Sequence, residues 1–294
     1  STGVVGASVV AMGVISLPVM LKYGYDERLA TGTICAAGTL GQIIPPSIIL
    51  IILGDVMGVP VGDLFKAAVI PGLALVSMYL IYVIVTTQRH PERAPPIPSD
   101  SENTYELIRD ALINIIPPLL LIVIVLGSIL TGIATPTESS ALGAIGALVL
   151  AKFYGKLNFR MIGDSGKETV KVTSMVFAVL IGATAFAMIF TYSGGDLIVE
   201  EFMTGLPGEK WAFIGLSMLA IFILGFFIDF VEIAFIIVPI LAPIAEVMGL
   251  NMVWFAILIA MNLQSSFMTP PFGFSLFYLK GVAPPSVKTT TIYK

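Results

Sequence analysis

Two charge-free runs of this chain, 29–54 and 247–279, each carry a Pro-Pro pair near their middle. They read LGQIIPPSIILIIL from Leu40 and FMTPPFGFSLFYL from Phe267. Proline has no N–H to donate, and its ring clashes with the preceding turn. The residue before it is pushed out of the α region. Two prolines in a row, beside Gly41 or Gly273, interrupt a helix rather than bend it. In hydrocarbon the freed carbonyls must be satisfied by protein, water or a ligand. Each interruption also creates helix ends at mid-membrane depth. Carbonyl ends suit a cation and N–H ends suit an anion.

The setting of both pairs is lipid. The chain is 57% hydrophobic and 12% charged, with mean hydropathy +0.98, far outside the soluble range. Windows 1–21, 67–88, 111–137, 172–195 and 211–228 are also free of charge. About 20 apolar residues cross a bilayer as a helix, so the fold class is an all-α polytopic membrane protein. The short alternating segments of a membrane β-barrel are absent. Cys35 lies alone in an apolar run and His90 alone in a polar loop. Neither supports a disulfide, a bound metal or a histidine-based active site. No basic cluster points to nucleic acid. With no HExxH, paired His or nucleophile–base set, an enzyme is excluded. Ser1 opens directly in an apolar pattern, without an initiator Met or a basic signal region, and reads as the interior of a longer protein.

Charge orients the spans. Segment 152–171 holds Lys152, Lys156, Arg160, Lys167 and Lys171 against Asp164 and Glu168, whereas 193–210 holds Asp196, Glu200, Glu201 and Glu209 against Lys210. Basic residues favour the cytoplasm, so 172–192 runs outward. The same rule makes KYGYDERL (22–29) cytoplasmic, sends 29–53 outward and brings 67–86 back. The domain reading follows. Residues 1–87 are the latter part of a first repeat, with a hairpin arm, a broken helix at 29–54 and a span at 67–87. Residues 88–110 are a cytoplasmic linker. Residues 111–294 are a second repeat, with 111–151 as two spans or a re-entrant pair, a span at 172–192, a hairpin at 211–247 and a broken helix at 251–283. Segment 211–247 also admits two ordinary spans.

Broken helices of opposite direction are the sequence signature of an inverted-repeat transporter. A small-residue turn lies some forty residues before each break: Ser1-Thr2-Gly3 before the first, Gly225 before the second. Carbonyl, Ser and Thr oxygens at these junctions suit Na⁺ and not a soft metal. Asn262 and Gln264 sit in a charge-free run and need a polar partner or a substrate. Asp229 and Glu232 either face the site, cap the second hairpin arm, or lie solvated at a membrane edge. Gly6, Gly13, Gly143 and Gly146 are read as close-packing positions. GIATPTE (132–138) is read as helix-start chemistry, with Thr135 or Thr137 as the cap and Glu138 in the first turn.

The segments LPVMLKYGYDERLATGTICAAGTLGQIIPPSIILIILGD, TGIATPTESSALGAIGALVLAKFYGKL, GFFIDFVEIAFIIVPILAPI and MNLQSSFMTPPFGFSLFYLKG together carry a family pattern. The chain resembles the large membrane (permease) subunit of tripartite ATP-independent periplasmic (TRAP) transporters. The resemblance implies a multi-pass protein of the bacterial cell inner membrane. It implies an elevator-type fold of two inverted repeats, each with a re-entrant hairpin and a discontinuous helix. It also implies symport, with Na⁺ as the coupling ion and no cofactor. The cargo would be a small organic acid, delivered by a periplasmic substrate-binding protein. A small membrane subunit would complete the permease. One Na⁺ would lie at Thr2, Gly41, Ile44 and Pro46, and a second at Gly225, Ser266 and Thr269. Substrate contacts would come from Ser1, Ser47, Asp229, Asn262, Gln264, Thr269, Pro270 and Gly273. A cation-coupled carrier working without a binding protein, or an ion channel, would share the paired breaks.

Overall fold

The structure, a computed structural model, describes residues 5–96, 104–271 and 273–293, the side chains of 104–107 excepted. The described residues are helical throughout, with no strand. Five helices are long and apolar enough to cross a membrane: Val5–Lys22, Val61–Arg89, Ile108–Leu130, Phe159–Tyr192 and Phe230–Val247. The chain is thus an all-α polytopic membrane protein. It divides into two compact units, one of residues 1–96 and 179–294, the other of 97–178.

In the first unit, α1 (Val5–Lys22) leads through a turn to α2 (Glu27–Thr39), capped by the Asp26 carboxylate at the N–H groups of Arg28 and Leu29. A single 3₁₀ turn, Leu40–Gln42, ends α2. The chain then passes Pro45-Pro46 and restarts as α3 (Ile48–Val56), followed by α4 (Val61–Arg89). The first crossing is therefore interrupted where its Pro-Pro pair stands.

The second crossing is interrupted in the same way. α9 (Glu209–Leu224) ends at Gly225. After a turn, α10 (Phe230–Glu232), a π-helical turn (Ile233–Ile237) and α11 (Val238–Val247) form the returning arm. α12 (Met252–Ser266) stops before Pro270-Pro271, and α13 (Phe274–Val282) resumes beyond Gly273. The peptide bonds Pro45–Pro46 and Pro270–Pro271 are both cis. The short α8 (Gly195–Thr204) precedes α9, and α14 (Thr289–Ile292) follows α13.

The packing of the two interruptions is reciprocal. α1 lies against α13, the helix beyond the second break, while α10, the π turn and α11 lie against α3, the helix beyond the first. α12 touches α3, α4 and the 3₁₀ turn. Ile34, Cys35, Ile43, Ile49, Leu50, Leu53, Phe255, Ile259, Leu263 and Phe267 make the buried core at this meeting point. Glycine permits the close approach. A Cβ on Gly6 would stand 2.9 Å from the Tyr278 ring, and one on Gly13 would stand 2.8 Å from Val282.

In the second unit, α5 (Thr104–Leu130) and α6 (Pro136–Phe153) form a hairpin, with α7 (Phe159–Tyr192) beginning beyond it. The hydroxyls of Ser128 and Ser139 meet at 2.8 Å near its turn. Gly143 and Gly146 seat Val125 and Leu121 of the facing helix. Thr135 is the cap: its Oγ1 accepts from the Glu138 N–H, and the Glu138 carboxylate accepts from the Thr135 N–H at 2.8 Å. These hydrogen bonds to the ionised carboxylate hold Glu138 below its ordinary pKa. The basic stretch read as an inter-span segment, 152–171, is helical from Phe159 onward, so α7 carries Arg160, Asp164, Lys167, Glu168 and Lys171 on an extension of the apolar span, while Lys152 ends α6.

Another Pro-Pro pair in a charge-free run, Pro117-Pro118, lies inside α5 and leaves it continuous. Pro117 withdraws the donor that the Ile113 carbonyl would otherwise receive. The Tyr154 hydroxyl supplies a replacement, donating to Ile113 O at 2.9 Å.

Candidate functional site

The site is built from the two interruptions and the hairpin end beside them. Each interruption replaces a lost backbone donor with a serine hydroxyl. Pro46 cannot donate to the carbonyl of Gln42, four residues back, and the Ser47 hydroxyl donates to that carbonyl instead. Ser47 then caps α3 by accepting from the Leu50 N–H. Pro271 cannot donate to Phe267 O; there the Ser275 hydroxyl donates at 2.8 Å and the Ser275 N–H at 3.2 Å. Gly273, at φ 51°, turns the backbone into α13 in a conformation that glycine adopts without a Cβ penalty.

The interruptions are joined by one hydrogen bond between equivalent positions. Thr39 lies six residues before Pro45, and Gln264 lies six before Pro270. Gln264 Nε2 donates to Thr39 Oγ1 at 2.7 Å, across 225 residues of sequence. Both side chains are buried. Met268 Sδ, two residues before Pro270, accepts hydroxyl contacts from Thr39 and from Tyr79 of α4, each at 3.4 Å. Cys35 Sγ points at Ser275 O at 3.7 Å.

The hairpin end closes on the second interruption. A Cβ on Gly225 would overlap the Ser266 hydroxyl, so only glycine lets the tip reach α12. Asp229 caps the returning arm, its carboxylate accepting from the Phe230 N–H at 2.8 Å. The Phe230 ring packs on Phe267, and Phe267 on Phe274 beyond the break. Higher on the hairpin, Asn262 Nδ2 donates to Met218 O at 2.6 Å and ties α12 to α9.

The residues singled out from the sequence fall into three groups. Gly225 and Ser266 are in contact, with Thr269 one turn on, its hydroxyl donating to Ser265 O at 2.8 Å. Gly41, Ile44, Pro46 and Ser47 share the first interruption, and Gly273 and the exposed Pro270 the second. Ser1 and Thr2 lie outside the described residues. Several polar groups expected to face a solute are engaged within the protein: Ser47 with Gln42 O, Asp229 as a cap, Asn262 with the α9 backbone. For Asp229 the cap engages one carboxylate oxygen, in keeping with the capping reading.

Gln42 was not among the residues singled out from the sequence. Its side chain is 1% exposed, and neither amide atom has a hydrogen-bond partner among the described residues. Gln264 Oε1 is likewise buried without a partner. An unpaired buried amide costs about 1–3 kcal/mol. The available signal was local: an amide inside GQIIPP, in a run otherwise made of aliphatic and small residues.

Comparison with known proteins sets this geometry in a family. The model of "Tripartite ATP-independent periplasmic transporter, DctM component" matches residues 1–294. The C4-dicarboxylate TRAP transporter large permease protein DctM of Pseudomonas aeruginosa is 32% identical over 280 residues, covering 94% of this chain and 64% of that protein. The isethionate TRAP transporter permease protein DctMQ of Oleidesulfovibrio alaskensis is 30% identical over 278 residues, covering 94% of this chain and 43% of its own length. The sialic acid TRAP transporter large permease protein SiaM of Vibrio cholerae is 27% identical over 272 residues, covering 92% of this chain and 62% of its own length. The chain thus spans less than two thirds of each of these relatives. All three are named as permease proteins, which are not enzymes.

Proposed function

The chain belongs to the family of the DctM component of tripartite ATP-independent periplasmic transporters, and from that premise we propose that it forms the ion- and solute-binding part of a Na⁺-coupled importer of a small organic acid in the bacterial inner membrane. The observation that carries this reading is the pair of interrupted crossings joined through Thr39 and Gln264. The reciprocal packing of α1 on α13 and of the second hairpin on α3 supports an inverted-repeat origin. Two such breaks at one junction supply carbonyl-rich and N–H-rich helix ends to a single site.

In this reading Na⁺ binds at the carbonyl ends. Pro45 and Pro270 withdraw the N–H groups that would have met the carbonyls of Gly41 and Ser266, four residues back in each case. These two carbonyls, with Ile44 and Pro46 at the first break and Gly225 and Thr269 at the second, form oxygen sets suited to a hard monovalent ion. Thr2 completes the first set. The acid's negative charge sits toward the N-terminal N–H groups of α3 and α13, with Ser1, Thr269, Pro270 and Gly273 around it, while the spare oxygen of Gln264 faces a neutral part of the acid. The hydroxyl of Ser47 and the groups of Asp229 and Asn262 hold the site's frame rather than the solute.

Transport work comes from the Na⁺ gradient, provided that the loaded carrier moves in preference to the half-loaded one. A periplasmic binding protein delivers the acid, and a small membrane subunit completes the permease. The relatives' names span dicarboxylate, isethionate and sialic acid, which supports an organic acid as cargo. The test is uptake of radiolabelled acid by the full-length transporter in proteoliposomes. Replacing external Na⁺ by K⁺ should abolish uptake, and omitting the binding protein should do the same. Uptake unchanged in K⁺ removes Na⁺ as the coupling ion.

A further inference from the structure

Gln42 and Gln264 place three partnerless amide atoms at one junction: Gln42 Nε2, Gln42 Oε1 and Gln264 Oε1. Thr39 and Gln42 are three residues apart across the end of α2 and the 3₁₀ turn, a spacing that puts both on one face. Thr39 is the residue that Gln264 bonds, and the 3₁₀ turn packs on α12. The two amides therefore stand on elements that pack together where the interruptions meet.

The donors and acceptors left over define what would complete them. A carboxylate only accepts, so it would serve Nε2 and leave two amide oxygens facing a negative charge. A metal cation would serve the oxygens and strand Nε2. A hydroxyl does both, accepting from an amide N–H and donating to an amide oxygen. We propose that Gln42 and Gln264 form a subsite for an uncharged hydroxyl group, brought either by the transported acid or by a held water. The first source rests on the transport function proposed above; the second does not. Gln42 is then a specificity-determining residue, selecting among acids by a substituent away from the carboxylate. Such a buried polar site rejects an analogue that lacks the hydroxyl, because its own groups are left unpaired.

The experiment compares malate with succinate, which differ by one hydroxyl, in proteoliposomes of the full-length transporter with its partner proteins. It uses wild type and Gln42→Met, a near-isosteric apolar replacement, and adds the thermal midpoint of each purified protein. If the hydroxyl is the solute's, Gln42→Met raises KM for malate about tenfold and leaves succinate within about twofold. If it belongs to a water, uptake of both acids falls alike and the thermal midpoint drops, because Gln264 Oε1 loses its bridge. The proposal is overturned if Gln42→Met handles both acids as wild type does and melts at the same or a higher temperature. A wild type that takes up neither acid excludes these dicarboxylates as cargo, and the thermal comparison alone then decides the subsite: a drop supports a held water, and no drop overturns it.

Discussion

Pro117-Pro118 and Pro270-Pro271 are the same dipeptide in charge-free membrane runs, with opposite outcomes. α5 continues through the first as one helix, whereas the second separates α12 from α13. The difference lies in the neighbours. Beyond Pro118 stand Leu119, Leu120 and Leu121, strong helix formers with no group to start a new helix. Beyond Pro271 come Gly273, which turns the backbone, and Ser275, which reaches back to Phe267 O. At Pro45-Pro46 the restart is Ser47, an N-cap that also donates to Gln42 O. A proline pair removes donors in every case; whether the helix ends depends on restart chemistry within a few residues. In α5 the substitute donor Tyr154 arrives from the helix partner and leaves the ladder's course unchanged.

The largest effect that would sharpen this comparison is at the hairpin tip. Gly225→Val puts side-chain atoms where the Ser266 hydroxyl stands. It should cost about 1–3 kcal/mol of stability, the range for overpacking, seen as a lower thermal midpoint of the purified full-length protein. Ser266→Gly in the same chain should recover part of the loss. The equivalent change at Gly182 of α7, with open space around it, should cost less than half as much.

Next come the restart serines. Ser275→Ala leaves the Phe267 carbonyl with only a backbone donor, and Ser47→Ala removes both a donor and a cap. Each should cost about 1–2 kcal/mol, Ser47→Ala the more, measured by chemical or thermal unfolding in detergent. Equal tolerance of both alanines would break the comparison, since the interruptions would then not need their serines.

Smaller still is Tyr154→Phe, at about 1 kcal/mol. The loss should shrink toward zero in a Pro117→Ala background, where residue 117 regains an N–H for Ile113 O. An undiminished loss in that background would mean that Tyr154 acts through packing alone.

The smallest effect concerns Glu138. Its pKa lies below the unfolded value, so the capping box contributes stability above the unfolded carboxylate range and loses it as pH falls through the folded value. Glu138→Gln should therefore melt below wild type at neutral pH, and the gap should close in acid. A gap independent of pH would show that the charge of Glu138 is irrelevant.

Much of this frame was legible in the residues. Proline chemistry and the flanking glycines located both interruptions, and TPTE announced a helix start, without choosing between Thr135 and Thr137 as the cap. Small residues at Gly6, Gly13, Gly143 and Gly146 marked close approaches. What escaped depends on contacts far apart in sequence. Nothing near Thr39 indicates that its hydroxyl meets Gln264, because that bond exists only once α2 and α12 pack. For the same reason the sequence did not show that Ser47, Asp229 and Asn262 each bond a backbone group of the folded chain. The 152–171 charges hid a helix, since solvated charge at a span end looks like a loop in composition alone.

The central claim is that two interrupted crossings meet at one site through Thr39 and Gln264. The most direct measurement is a density map of the full-length transporter in lipid nanodiscs, at a resolution that shows side chains. It should show both helical ladders stopping at 43–47 and 267–273, with Gln264 Nε2 within hydrogen-bond reach of Thr39 Oγ1. Continuous helices through either proline pair, or interruptions that face lipid on separate sides, would contradict it.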